Sequence, residues 1–581
     1  MHDQAYRWKS KKIREHVAVM DGKKHPTIVL TNATYLNVHL KTWAKANIWI
    51  YEDRIIYVGE ELPATSDSTE MIDCTSYFLV PGYIEPHVHP FQLYNPLSFA
   101  QYASKRGTTT FVNDNLMLTL QMTKKKAFSF IEKMSESPVS MYWWSRFDAQ
   151  TEIENEEEVF STRNIKSWLQ HPLVLQGGEL TSWPKLMAGD DLILHWVQEA
   201  NANRKPVEGH FPGASEKTLT KMQLLGIHSD HEAMNGADVL KRISQGYRAS
   251  LRYSSIRPDL PQIVEELEAS GVQYYDQTFF NTDGSTPSFY ESGVIDRAIS
   301  IALDKGVPAI EAYRMASFNA ANHFYMENKH GSIAPGRIAN INFLDAKENP
   351  LPVKVLSKGV WVGVDGNSNE AAFPKQDWPA LGLEPLKLDW ELSLDDLQFS
   401  MALGMEMVNE VIIKPYSITV DVSGDSLSTE HDESFLMLLD RGGNWRVNTT
   451  LKGFGKHVQG FASSYSNTGD IVLIGKNKQA MLQAFEHMKE IGGGMVLVEE
   501  GEVLAEISLP LAGGMSDAPM EQLIQQETNL RHLLFERGYS FGDPVYTLLF
   551  LSSTHLPYIR ITPRGIYDVM NKTVLFPSIM R

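Results

Sequence analysis

At 581 residues the chain is too long for one hydrophobic core and divides into roughly three or four domains of ordinary size. Its 53 basic against 71 acidic side chains give a formal charge of −18, which argues against duplex nucleic acid, since phosphate binding relies on clustered Lys and Arg; a free base carries no phosphate and is not excluded. A single cysteine, Cys74, rules out an internal disulfide framework and a thiolate-only metal site, so any metal ligands come from the 18 histidines and the carboxylates.

The start, Met1 to Arg14, is polar and basic with no apolar signal core, and no run reaches the ~18 apolar residues of a membrane span, so a cytoplasmic location is expected. Residues 27–30, 34–38, 46–51 and 54–58 are β-branched and aromatic runs broken by polar clusters, which predict short strands. Segments 331–344 and 353–364 have the same texture, so the two flanks are expected to pair into one sheet domain interrupted by everything between them.

The strand-like run from Tyr77 ends in His87-Val88-His89, and the period of two along a strand puts both imidazoles on one side, able to grip one metal ion. Further strands are predicted to end near Val112, Trp144, Leu175, Val207, Ile227, Leu251 and Phe280, following a first that ends near Ile84. Amphipathic stretches such as 165–170 and 260–269 separate them. Eight strand-then-helix units in roughly 250 residues match a (β/α)8 barrel, whose chemistry sits at the C-terminal ends of the strands.

Polar residues fall at those ends: His87 and His89 after the first, Glu179 after the fourth, His210 after the fifth, His228, His231 and Glu232 after the sixth, Asp283 after the eighth. Singly, Glu179 reads equally as a surface-loop carboxylate, His210 as a satisfied loop histidine and Asp283 as a turn or helix cap. Jointly, five sites in strand order point to a metal centre. His228 reads as a neighbour rather than a ligand. With four imidazoles, two carboxylates and no thiolate, Mn, Fe and Zn all suit the set.

The run Val80-Pro-Gly-Tyr-Ile-Glu-Pro-His-Val-His89, followed by Gly107-Thr-Thr-Thr-Phe-Val112, resembles the amidohydrolase superfamily of metal-dependent hydrolases. Within it, Gly209-His-Phe-Pro-Gly213, Gly226-Ile-His-Ser-Asp-His-Glu232, Gly453-Phe-Gly455, the glycine run from Gly492 and Leu509-Pro-Leu-Ala-Gly-Gly-Met-Ser-Asp517 resemble adenine deaminases, a likeness that runs from about Thr27 to the end. The resemblance implies an α/β fold: a TIM-like (β/α)8 barrel over 81–330, a small β-sandwich domain from 1–80 and 331–375, and a C-terminal α+β domain over 388–581. It implies a binuclear divalent centre, with manganese or iron favoured, in which His87, His89 and Asp283 hold the more buried metal, His210 and His231 the second, and Glu179 bridges them. The implied activity is that of a hydrolase acting on the C–N bond of a cyclic amidine, converting adenine to hypoxanthine and ammonia in purine salvage.

Attack at purine C6 breaks aromaticity, so an acid must protonate the adjacent ring nitrogen. Glu232 is expected in that role, with a carboxylate that merely orients His231 as the alternative reading. Asp283 is expected to take the proton of the hydroxide and hand it to the leaving group. Arg252 reads as a hydrogen-bond partner of the purine or as a structural ion pair. The expected partner is a purine base, with neither nucleic acid nor membrane, and the expected assembly is a homo-oligomer, a dimer.

Three positions depart from the family pattern: Gly284 after Asp283 where a second aspartate is usual, Tyr253 after Arg252 where Glu is usual, and Tyr465 to Asp470 where a histidine-rich stretch is usual. Fewer polar groups near the exocyclic amine admit an N6-substituted adenine such as N6-methyladenine, with methylamine leaving. Another amidohydrolase reaction, on a cyclic amide, and a catalytically silent metal-binding or assembly protein are the rivals.

Beyond the barrel, 366–387 is rich in Pro, Gly, Asn and Asp and is expected as a linker. Strands are predicted over 411–414, 471–475 and 495–499, with a helix over 478–491. Gly492 to Gly494 lacks the Lys-Ser/Thr of a phosphate loop and predicts a tight turn. Trp143, Trp144, Phe279 and Phe280 are expected in the core, with one ring a candidate to stack on the purine.

Overall fold

The computed structural model describes residues 8–153 and 155–581. The first seven residues of the polar start thus lie outside the described residues; Ser10–Met20 is a helix. No helix among the described residues is long and apolar enough to cross a membrane.

Eight parallel strands pair in chain order: β1 (Tyr83–Val88), β2 (Thr108–Asn113), β3 (Ser140–Ser145), β4 (Val174–Leu180), β5 (Val207–Gly209), β6 (Ser229–Asp230), β7 (Arg248–Arg252) and β8 (Thr278–Asn281). Helices between them, such as Thr162–Gln170 and Leu260–Ser270, put an apolar face on the sheet. Covered on both faces, β1 to β4 are buried at every residue, which explains why they read as continuous apolar runs rather than alternating ones. Val112, Tyr142, Trp144 and Leu175 cluster with Phe324 and Met326, which form the barrel floor. The first and last strands meet through side chains, the Thr282 hydroxyl donating to Glu85 Oε2 at 2.6 Å.

Three strands differ from expectation, the first being β1, which runs past Ile84 to Val88. β4 runs past Leu175 to Leu180, because its pairing with β5 shifts between Gly177 and Leu180 at a bulge. Gly178 sits there at φ +73°, and a Cβ on it would lie 2.9 Å from the Glu208 carbonyl oxygen. Such a bulge re-aims the next side chain, here Glu179. β6 begins after Ile227 and holds only Ser229 and Asp230.

The flanks join in one nine-stranded sheet. Phe78–Pro81 lies between Ile28–Asn37 and Ile341–Leu344, and Gly82 alone separates it from β1, so this sheet anchors the strand that carries His87. The runs 27–30 and 34–38 are one strand, Ile28–Asn37, with a register shift between Leu30 and Ala33 where Asn32 takes φ 55°.

The C-terminal region builds a second nine-stranded sheet with helices Lys478–Glu490 and Met520–Glu536. Gly492 and Gly493 form the turn into strand Gly494–Glu499. Residues 366–387 are packed down rather than loose, with Phe373 and Leu383 in the main core and Leu386 in that of the second sheet. The region also docks on the barrel mouth. Met515–Ser516 pairs with Leu93–Tyr94, and Thr286 Oγ1 donates to Asp543 Oδ2 at 2.7 Å.

Candidate metal centre

The end of β1 delivers His87 and His89 to the mouth, where their Nε2 atoms lie 3.3 and 3.2 Å from Asp283 Oδ1. Asp283 takes φ 57°, a left-handed conformation uncommon for a residue with a side chain and frequent at functional sites. Gly284 follows at φ +67°, where a Cβ would stand 2.3 Å from the His89 nitrogen. The His89 backbone thus fills the place a second carboxylate would need.

Glu179, aimed by the β4 bulge, stands between the histidine pairs. Its Oε1 is 2.7 Å from His210 Nδ1 and 3.5 Å from His231 Nε2, and its Oε2 is 3.7 Å from His89 Nε2. Arg146 Nη2 is 2.9 Å from Oε2. Three triads, His87-His89-Glu179, His87-His231-Asp283 and Glu179-His210-His231, each bring three ligand atoms within 4.8 Å of one another. Among the described residues His87 Nε2 is buried without a hydrogen-bond partner, and the donor set suits divalent cations.

Carboxylates stand behind three of the four rings. Glu208 Oε2 meets His87 Nδ1 at 2.6 Å, its Oε1 lies 3.4 Å from His231 Nδ1, and Asp114 Oδ2 meets His89 Nδ1 at 2.8 Å. This leaves the three Nε2 atoms facing the centre. His210 differs, presenting Nδ1 to Glu179. Asp230 ties two loops together, accepting from the backbone N–H of Phe211 at 2.8 Å and of Glu232 at 3.1 Å.

Glu232 Oε1 lies 3.5 Å from His231 Nε2 and 3.6 Å from His210 Nδ1. Arg252 Nη1 is 2.6 Å from the same oxygen and 2.9 Å from Asp283 Oδ2, while its Nε is buried without a partner among the described residues. Arg257 Nη1 approaches Glu232 Oε2 at 3.2 Å.

Burial alone would raise these carboxyls and lower these imidazoles. The opposite holds. Against burial, Arg252 and the flanking imidazoles bring Glu232 down to about 2, Arg146 and His210 hold Glu179 well below the carboxylate range, and Arg252 does the same for Asp283. Asp114 and Asp283 push His89 up to about 9, and Glu179 and Glu208 hold His231 well above its usual value. The carboxylates thus favour positive charge among the imidazoles, the charge a dication would supply.

His87, His89, Glu179, His210, His231, Glu232, Arg252 and Asp283 therefore converge on one mouth. His228 is exposed, just before β6. Trp144 stacks on His87 with centroids 4.5 Å apart, Tyr253 packs against Phe289 at 5.0 Å, and the Tyr465 hydroxyl donates to Gln92. Sequence reasoning assigned no part to Asp114 or Arg146, although each directly follows a barrel strand, the same signal that exposed the histidines. His555, from the C-terminal region, had no such signal. Its ring stands edge to face against His210, and burial together with His210 lowers it to about 3.

The amidohydrolase family profile matches residues 78–367, and that of the adenine deaminase C-terminal domain matches 410–573. A Halalkalibacterium halodurans protein provisionally named adenine deaminase is 56% identical over 584 residues, covering 100% of both chains. A Bacillus subtilis protein with the same provisional name is 56% identical over 581 residues, again with 100% coverage of both. An adenine deaminase of Listeria welshimeri is 27% identical over 573 residues, covering 96% of this chain and 97% of its own. With this likeness end to end and a divalent-metal donor set at the barrel mouth, the chain is a hydrolase that belongs to the adenine deaminase family of the amidohydrolases.

Proposed function

We propose that the chain hydrolyses adenine to hypoxanthine and ammonia in purine salvage, with two divalent cations, manganese or iron, held by His87, His89, Glu179, His210, His231 and Asp283. The observation that carries this reading is Glu179 standing between the two histidine pairs while Glu232 and Asp283 share one guanidinium. When bound, such a pair lowers the pKa of a coordinated water to near neutrality and so supplies the nucleophile.

Glu232 is ionised at neutral pH, so it acts first as a base at its carboxylate oxygens, taking a proton from the attacking water. It then returns that proton to the purine ring nitrogen beside C6. Asp283 carries the second proton to the leaving amine, and Arg252 spans both carboxylates so that their oxygens face one substrate edge. The partnerless Arg252 Nε supports its part as a contact of the base.

N6-methyladenine is a second reading. Tyr253 and Tyr465, which stand where the family usually has Glu and a histidine-rich stretch, are turned to Phe289 and Gln92 and add no charge to the site. We further propose a cytoplasmic homodimer with domains 1–80 plus 331–375, 81–330 and 388–581. Turnover of adenine against N6-methyladenine, with Mn or Fe counted per chain, separates the two substrates; activity on neither with metal bound defeats both.

A further inference from the structure

We infer that His555, brought over the barrel mouth by the C-terminal domain, contacts the substrate and positions it by hydrogen-bonding a ring nitrogen of the base. This rests on the purine reading above. The imidazole stands against His210, one of the candidate metal ligands, with ring centroids 5.7 Å apart at 87°. Its Nδ1 is buried with no partner among the described residues. Buried polar atoms nearly always have partners, and one left open beside a metal centre marks where a ligand atom belongs.

The loop that carries His555 is pinned on both sides. Thr151 Oγ1 donates to the Ser552 carbonyl at 2.6 Å, and the Thr554 N–H donates to the Gln150 carbonyl at 2.9 Å. Buried Arg560 donates from Nε to the Ser553 carbonyl at 3.1 Å. Gln150 also reaches inward, its side-chain amide donating to Glu179 Oε2 at 3.4 Å. The loop is thus joined through one residue to the carboxylate between the histidine pairs, which holds His555 in place before substrate arrives. A neutral imidazole offers one N–H and one lone pair, and the edges of a purine offer both complements. This gives the C-terminal domain a direct part in recognising the base.

The test uses the full-length chain, His555→Ala and His555→Gln, each loaded with Mn and its metal counted, assayed on adenine and N6-methyladenine. The expected result for His555→Ala is a KM raised about 10- to 100-fold with kcat within about threefold of wild type and metal content unchanged. His555→Gln, which keeps a donor and an acceptor at similar reach, should recover most of the loss. An unchanged KM in an active His555→Ala protein would overturn the inference alone, as would metal loss in step with kcat, which would mean that His555 only buttresses His210. A metal-loaded wild type that turns over neither base would overturn the purine reading and this inference together.

Discussion

The barrel buries histidines at both ends, and their surroundings push them in opposite directions. At the mouth, Asp114 and Asp283 push His89 up to about 9 although burial pulls the other way. At the floor, burial drives His323 and His330 down to about 3. His330 meets Tyr142 and Thr110 hydroxyls at 2.9 and 3.3 Å, and His323 stacks on Phe279 with centroids 4.9 Å apart. Buried imidazoles of one chain are thus shifted in opposite directions, His89 upward and His323 and His330 downward. Facing carboxylates, not depth, distinguish a place for a cation from ordinary core.

The sharpest way to break this contrast is to remove the carboxylate between the mouth pairs. Glu179→Gln should cut turnover at least ~1,000-fold and lower the metal from two per chain to at most one by elemental analysis, since the neutral amide no longer balances paired dications. Full turnover with two metals retained would erase the distinction between the ends. A smaller effect is expected behind the rings. Asp114→Asn and Glu208→Gln should each weaken metal affinity by about 10- to 100-fold in chelator competition, because the imidazoles they orient lose their backing.

The two ends should also respond differently to pH. The folded-state value of His89 in the metal-free chain, about 9, lies above the ordinary imidazole value, so its stabilising contribution is complete below about pH 6.5 and is lost as pH rises through 9. Glu232, depressed to about 2, contributes above about pH 4.5 and loses that contribution as pH falls through 2. Urea melts of the metal-free chain should therefore show a loss on the order of a few kcal/mol between pH 6.5 and 9. The Mn-loaded chain should be nearly flat there, because the cation has replaced the proton. The smallest effect belongs to the floor. His323 Nε2 is buried without a partner among the described residues, so His323→Phe should leave metal content and turnover within about twofold of wild type and shift stability by less than about 1 kcal/mol.

Much of the mouth was legible because strand ends are locally encoded. His87 and His89 reveal a shared face through the period of two, and His231 and Glu232 lie in a run whose neighbours already suggest the family. The β4 bulge was not legible: it depends on Gly178 passing close to the Glu208 carbonyl, a neighbour from the next strand. Nor was the single bulged strand Ile28–Asn37, since the polar pair Thr31-Asn32 resembles a turn until its partner strand is present. The packed course of 366–387 escaped composition for a similar reason, because Phe373, Leu383 and Leu386 find their cores elsewhere in the chain.

By itself, the sequence determined which donor residues occupy which strand ends and in what order, because side-chain identity and alternation are properties of short stretches. Only the tertiary structure decided which imidazoles face carboxylates, which nitrogen of each ring faces the centre, and that His555 reaches the mouth at all. Coulomb energy and desolvation depend on distance through space, and the residues that set them here are far apart along the chain.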